Sequence, residues 1–73
     1  MKLLFSTHAQ IRAEQRGVDV DAIKQVIKNG TKNTSDDRLI ARLFLPEKKK
    51  ILAVVYKHKT KNQVLIITTY YEN

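Results

Sequence analysis

A basic stripe on the first predicted helix holds the residues best suited to chemistry. His8, Arg12 and Arg16 recur at intervals of four, and a helix that turns about 100° per residue places such residues along one face. A neutral imidazole accepts a proton, and planar guanidinium groups donate paired hydrogen bonds to phosphate. The spacing therefore predicts a face on which a base and two phosphate-binding cations lie together.

The stripe also has structural interpretations. His8 can cap the helix or pack against the end of a strand, and the arginines can form ion pairs with Asp36 or Asp37. Ala9 and Ala13 lie beside the stripe, and such small residues permit close packing of the helix on a sheet. The arginine stems would then run along the margin of that contact.

Charge and composition indicate the class of partner. The 73 residues include 14 Lys and Arg against 7 Asp and Glu, a formal charge of +7, which favours a polyanion. We expect RNA, free or on the ribosome, although solubility alone can also account for basic residues. The chain has no cysteine, so we expect a reducing, cytoplasmic location. Its apolar N-terminal run is too short for a signal peptide or a membrane span, and no membrane partner is expected.

The apolar pattern predicts two helices near the start of a single domain over residues 1–73. The sequence "THAQ" has the form of a capping box, so Thr7 is the expected N-cap of a helix that ends near Arg16, before Gly17. A second helix is expected between Asp19 and Gly30. Its apolar face consists of Val20, Ile23, Val26 and Ile27.

Three β-branched and aromatic runs, "RLIARLFL", "ILAVVYKH" and "VLIITTYYE", predict an antiparallel meander. Residues 1–5 are expected to be a short strand or an apolar lead-in, and "TKNTSDD" a loop or an edge strand. The predicted fold is α+β, with two N-terminal helices packed on a three- to four-stranded antiparallel sheet. Because the apolar centres are nearly continuous, we expect the face without helices to dock a partner.

Lysines on the predicted turns are candidates for gripping an RNA backbone, although solvated turns are the ordinary interpretation. They are Lys48, Lys49, Lys50, Lys59 and Lys61. No spacing of His, Asp or Glu is specific for a metal, and no glycine-rich loop is present to cradle phosphate. We therefore expect neither a metal nor a cofactor.

The motifs in their order resemble a known family. A His-Ala opening of the first helix, the arginine of "EQRG", a second helix ending in "NG" and the closing "ITTYYE" resemble the domain-of-unknown-function family numbered 4258. That family is similar to a branch of the superfamily of barnase, the tRNA-cutting colicins and the RelE and ParE toxins. The resemblance implies a RelE/barnase-like fold and these site residues: His8, Arg12, Arg16, and Thr69 or Tyr70. Barnase-like nucleases use a glutamate as base, whereas Glu14 points away from the stripe.

We therefore expect a metal-independent endoribonuclease, the toxin of a toxin–antitoxin pair with an acidic antitoxin. His8 would take the proton from a ribose 2′-hydroxyl, the arginines would stabilise the phosphate, and the 5′-oxygen would be protonated. The candidate proton donors are Lys57 and Tyr70. The alternatives are a non-catalytic RNA- or ribosome-binding module and a protein-interaction module that meets an acidic partner through its open sheet face.

RNA affinity is expected to fall steeply with salt if several of the 14 basic residues contact phosphates. Titrations of single-stranded RNA at increasing salt should give a log–log slope of about −0.7 for each phosphate neutralised. A slope near zero would exclude this binding mode.

Overall fold

The structure, a computed structural model, describes residues 1–72 as two helices and five strands. In chain order these are β1 (Lys2–Phe5), α1 (Thr7–Arg16), α2 (Val20–Asn29), β2 (Thr31–Ser35), β3 (Arg38–Leu45), β4 (Lys50–Thr60) and β5 (Gln63–Glu72). Over these residues, neither helix has the length and apolar character needed to cross a membrane.

The strands form one sheet in the order β1-β5-β4-β3-β2. β2 to β5 pair antiparallel, as the predicted meander requires, but β1 pairs parallel with β5. The α+β class is confirmed, whereas the prediction of a wholly antiparallel sheet of three or four strands is wrong. The reason is packing: Leu3 and Phe5 of β1 pack against the core when β1 joins the edge of β5.

Helix α1 begins one residue earlier than its sequence motif predicts. Ser6, in an extended conformation, is the N-cap: its Oγ accepts a hydrogen bond from the Ala9 amide at 3.0 Å and donates one to the Ile67 carbonyl at 3.1 Å. The prediction of Thr7 as N-cap is wrong, since Thr7 is the first helical residue. Gly17 ends the helix in the left-handed region, with φ 64°, as predicted.

Helix α2 is capped by Asp19, whose Oδ1 accepts from the Ala22 amide at 2.7 Å. Ile23, Val26 and Ile27 are buried, but Val20, predicted on the same face, is 47% exposed at the first position of the helix. Gly30 follows the helix with its amide bonded to the Val26 carbonyl.

Both helices pack on the same face of the sheet. Buried residues of α1 and α2 meet alternate residues of the strands, in a cluster formed by Ala9, Ile23, Val26, Ile27, Ala41, Leu45, Leu52, Val54, Tyr56, Val64 and Ile66. The side chains on the opposite face, the open sheet face, follow from the alternation of each strand. Its central members are Leu4, Ile40, Arg42, Phe44, Ile51, Ala53, Val55, Lys57, Leu65, Tyr70 and Glu72.

A bulge at Ile67 divides β5 into two halves. Val55 pairs with Thr68 and Tyr56 pairs with Ile66, so Ile67 is an extra residue. The extra residue shifts the alternation by one position. As a result Ile66 and Thr69, three residues apart, both face the helices.

The two glycines are expected to differ in their tolerance of alanine. A Cβ at Gly30 would lie 2.5 Å from the Val26 carbonyl oxygen and 2.6 Å from that of Arg42, whereas a Cβ at Gly17 meets nothing within 4 Å. Gly30→Ala should therefore cost about 3 kcal/mol of unfolding free energy, the upper range for overpacking, and Gly17→Ala about 1 kcal/mol for its left-handed backbone. Urea unfolding of both variants tests this order, and equal losses would contradict it.

Candidate functional site

Helix α1 is attached to β5 at both ends. His8 Nε2 lies 3.1 Å from Thr68 Oγ1 in the first turn, and Arg16 Nη1 donates to the Thr69 carbonyl oxygen at 3.4 Å in the last. Between them Ala9 and Ala13 are buried, which confirms the predicted packing face of this helix. The helix and the second half of β5 therefore hold the two ends of the stripe in place.

The His8 ring is exposed and has a defined hydrogen-bond partner. In the tautomer that carries its proton on Nε2, the ring donates to the Thr68 hydroxyl and leaves Nδ1 as a free acceptor. A substrate hydroxyl that approaches Nδ1 would meet a base whose ring orientation is already set. Thr68 is thus an additional site residue, one that the sequence patterns did not single out.

Arg12 lies between the other two members of the stripe. With a rise of 1.5 Å per residue, Arg12 stands about 6 Å along the helix axis from His8, and Arg16 about 12 Å. Arg12 is half-buried and its Nη1 donates to Gln15 at 3.2 Å. Within residues 1–72 the stripe forms no salt bridge, so the suggested ion pairs with Asp36 or Asp37 are absent.

The end of α1 opens onto a basic pocket of about 460 Å³. Its lining consists of Arg16, Lys48, Lys50 and Tyr71. Lys50 Nζ lies 5.8 Å from the centroid of the Tyr71 ring, within cation–π range. Three cations around one cavity, with no carboxylate among the lining residues of the described range 1–72, make a site suited to an anion such as phosphate.

The predicted RNA-binding lysines do not form one patch. Lys48 and Lys49 lie in the turn before β4, and Lys50 begins that strand, whereas Lys59 and Lys61 lie at its far end. At about 3.3 Å per residue, the two groups are about 30 Å apart. Only the first group, through Lys48 and Lys50, joins the residues of α1.

Thr69 and Tyr70 lie in different environments. Thr69 is fully buried and its hydroxyl donates to the Ala53 carbonyl at 3.0 Å, so its contribution to the site is the carbonyl that Arg16 binds. Tyr70 lies on the open sheet face, across Ala53 from Arg42. Lys57 lies on that face as well, opposite Leu65. Tyr70 and Lys57 therefore face away from the basic pocket.

The open sheet face carries a salt bridge that the sequence patterns did not indicate. Arg42 Nε donates to Glu72 Oε1 at 2.9 Å. This hydrogen bond, together with the charge of Glu72 and a weaker effect of Tyr70, raises the pKa of Arg42. Arg42 interrupts the apolar run from Leu39 to Leu45, which was a signal for a polar role. Its partner Glu72 is 30 residues away and becomes adjacent only through the pairing of β3, β4 and β5.

Comparisons with known proteins identify the family. A family described as a domain of unknown function, DUF4258, matches residues 5–71, and the chain belongs to this family. No curated protein and no solved structure matches the chain. The suggested link to barnase, the colicins and the RelE and ParE toxins stays a prediction. Across residues 1–72, no three His, Cys, Asp or Glu side chains lie together in a group that could hold a metal ion.

The neighbours Thr68 and Thr69 are expected to respond differently to removal of the hydroxyl. Thr69→Val should cost about 1 kcal/mol, because the buried Ala53 carbonyl loses its side-chain donor. Thr68→Val, at a half-buried position bonded only to the exposed His8, should change stability by less than about 0.5 kcal/mol. Urea unfolding of both variants measures the two losses of stability. A larger loss for Thr68→Val than for Thr69→Val would contradict the prediction.

Proposed function

We propose that this protein is a metal-independent endoribonuclease whose site runs along α1 and the second half of β5. The observation that carries the proposal is the attachment of α1 at both ends, through His8 to Thr68 and through Arg16 to Thr69, beside a pocket with two further cations. An aligned base and a row of phosphate-binding groups are what cleavage at the 2′-hydroxyl requires.

The spacing of the stripe assigns a role to each member. The scissile phosphate lies between His8 and Arg12, which are about one helical turn apart. Arg16, with Lys48 and Lys50, binds a neighbouring phosphate of the same strand in the basic pocket. Binding a second phosphate fixes the position of the reacting one, which lowers the entropic part of the barrier.

In the chemical step, the ribose 2′-oxygen attacks the adjacent phosphorus as its proton passes to Nδ1 of His8. The bond from phosphorus to the 5′-oxygen breaks, and this oxygen takes a proton from water at the exposed site. The proton held by His8 then passes to the hydroxide that remains, which restores the neutral base. Arg12 stabilises the charge that develops on the phosphoryl oxygens. The products are a 2′,3′-cyclic phosphate and a 5′-hydroxyl.

This assignment changes two of the roles expected from the sequence. Lys57 and Tyr70 lie on the open sheet face and form no hydrogen bond to the stripe within residues 1–72, so water replaces them as the proton donor in this proposal. Among the lysines, Lys48 and Lys50 are assigned to phosphate, and Lys59 and Lys61 are not. The prediction that the protein acts as a cytoplasmic toxin restrained by an acidic antitoxin remains part of the proposal, supported by the charge of +7.

Cleavage should depend on the stripe but not on other surface cations. His8→Ala and Arg12→Ala should each lower the cleavage rate by about 10²-fold, the usual scale for the loss of a general base or of electrostatic stabilisation. Lys24→Ala, which removes an exposed cation of α2, is the matched control and should retain full activity. The measurement is single-turnover cleavage of a labelled RNA by the purified chain.

Substrate and pocket variants separate binding from chemistry. RNA with deoxyribose at the scissile position should bind but stay intact, because the attacking hydroxyl is missing. The double variant Lys48→Ala/Lys50→Ala should weaken RNA binding more than the double variant Lys59→Ala/Lys61→Ala.

If the wild-type protein binds RNA and never cleaves it, the non-catalytic RNA-binding module takes the place of this proposal. Equal cleavage by the wild type and His8→Ala would assign the activity to a contaminant.

A further inference from the structure

The open sheet face presents apolar side chains that neither helix covers. On one row Leu4, Leu65 and Lys57 are aligned across β1, β5 and β4, and on the next Val55 pairs with Ile40. Farther along β3, Phe44 is 54% exposed, which is unusual for a large aromatic residue in a strand. Ala53 at the centre of this face is buried by its neighbours in the sheet, whereas Ile40, Val55 and Leu65 remain partly exposed. Within residues 1–72, neither helix packs on this face.

The dimensions of this face suit one helix. The apolar side chains extend from β1 to β3 across four strands, about 15 Å at the usual strand spacing. An α-helix with its side chains is about 10 Å wide. The longest dimension of the molecule is 32 Å, and a helix of about 18 residues is ~27 Å long.

Charge decides which partner fits. Among the basic strand residues of this face, Lys2, Arg38 and Lys57 have no acidic partner within residues 1–72. The acidic strand residue, Glu72, is already bound to Arg42. A partner that covers this face would therefore meet an apolar centre with unneutralised positive charges at its margin.

A second copy of the chain is a poor match for the same reason. Each copy carries a formal charge of +7, and a symmetric contact would bring the same basic residues of two copies together. An acidic surface, by contrast, gains from both the apolar contact and the long-range attraction.

We propose that the open sheet face binds an acidic amphipathic helix of a partner protein. The apolar stripe of that helix, at positions i, i+3, i+4 and i+7, packs on Val55, Ile40 and Leu65. Its Asp and Glu residues face Lys57 and the other basic residues of the margin. This inference does not rest on RNA cleavage, because none of its residues belongs to the proposed catalytic stripe.

The test selects binders from a displayed library of random 18-residue peptides on the immobilised full-length chain. The selected peptides should be rich in Asp and Glu and should carry apolar residues at helical spacing. The affinity of a representative peptide should fall about tenfold with Val55→Lys and less than about twofold with Ile11→Lys. Both variants add one positive charge, and Ile11 is an exposed apolar residue of α1, so the pair separates apolar contact from charge.

The charged margin has its own matched pair. Lys57→Gln should weaken the peptide about threefold, whereas Lys24→Gln, on the exposed side of α2, should have little effect. Circular dichroism establishes that each variant is folded. If Val55→Lys is not folded, Phe44→Lys tests the same face at its most exposed apolar position.

Three results of the peptide and self-association measurements would overturn the inference. They are selected peptides without acidic enrichment, equal weakening by the Val55→Lys and Ile11→Lys variants, and a concentration-dependent dimer that Val55→Lys abolishes. The last result would assign the face to a second copy of the chain. Loss of RNA binding in the Val55→Lys variant without loss of peptide binding would assign the face to RNA.

Discussion

The pairing of the first strand with the last is the interaction on which the rest of the structure depends. β1 joins β5 in parallel, with Leu3 opposite Val64 and Phe5 opposite Ile66. This pairing closes almost the entire chain into a loop, at an entropic cost that burial of apolar residues must offset. Because α1 follows β1 after a single residue, the pairing also delivers α1 to the second half of β5. The proposed site exists only because of this placement.

The bulge at Ile67 determines which side chains in the second half of β5 face the core. It shifts the alternation of β5, so that Thr69 points into the core. Thr68 pairs with Val55 of the open sheet face and still lies within hydrogen-bond distance of His8. Without the extra residue, the side chains after the bulge would exchange faces. Bulges commonly re-aim side chains near functional sites, and here the bulge lies where the helix stripe meets the sheet.

The structure shows two different surfaces, a basic pocket and an apolar sheet face, which the net charge of the sequence does not distinguish. On the side of α1, Arg16, Lys48 and Lys50 line a pocket together with Tyr71, and this concentration of positive charge suits phosphate. On the opposite side, apolar side chains dominate and the basic residues stand at the margin, which suits an acidic protein. The proposed RNA site and the proposed partner-binding surface therefore lie on different faces of the sheet.

The sequence by itself determined the features that depend on near neighbours along the chain. The packing of Ala9 and Ala13, the Asp19 cap and the end of α1 at Gly17 follow from helical spacing and local hydrogen bonding, and each is found in the structure. The two faces of β3 and β4 were also predictable, because side chains alternate between the faces of a regular strand. Thr7 and Gln10 have the spacing of a capping box, which predicts Thr7 as the N-cap. The helix instead begins at Thr7, so that Ser6 is the N-cap.

Only the tertiary structure decided which distant residues meet. The parallel partner of β1, the extra residue in β5 and the Arg42–Glu72 salt bridge all depend on the register between strands. The same register places Tyr71 in the basic pocket and Tyr70 on the other face. Strand alternation has a period of two, so a shift of one residue exchanges the faces of every later side chain, and nothing local in the sequence records that shift.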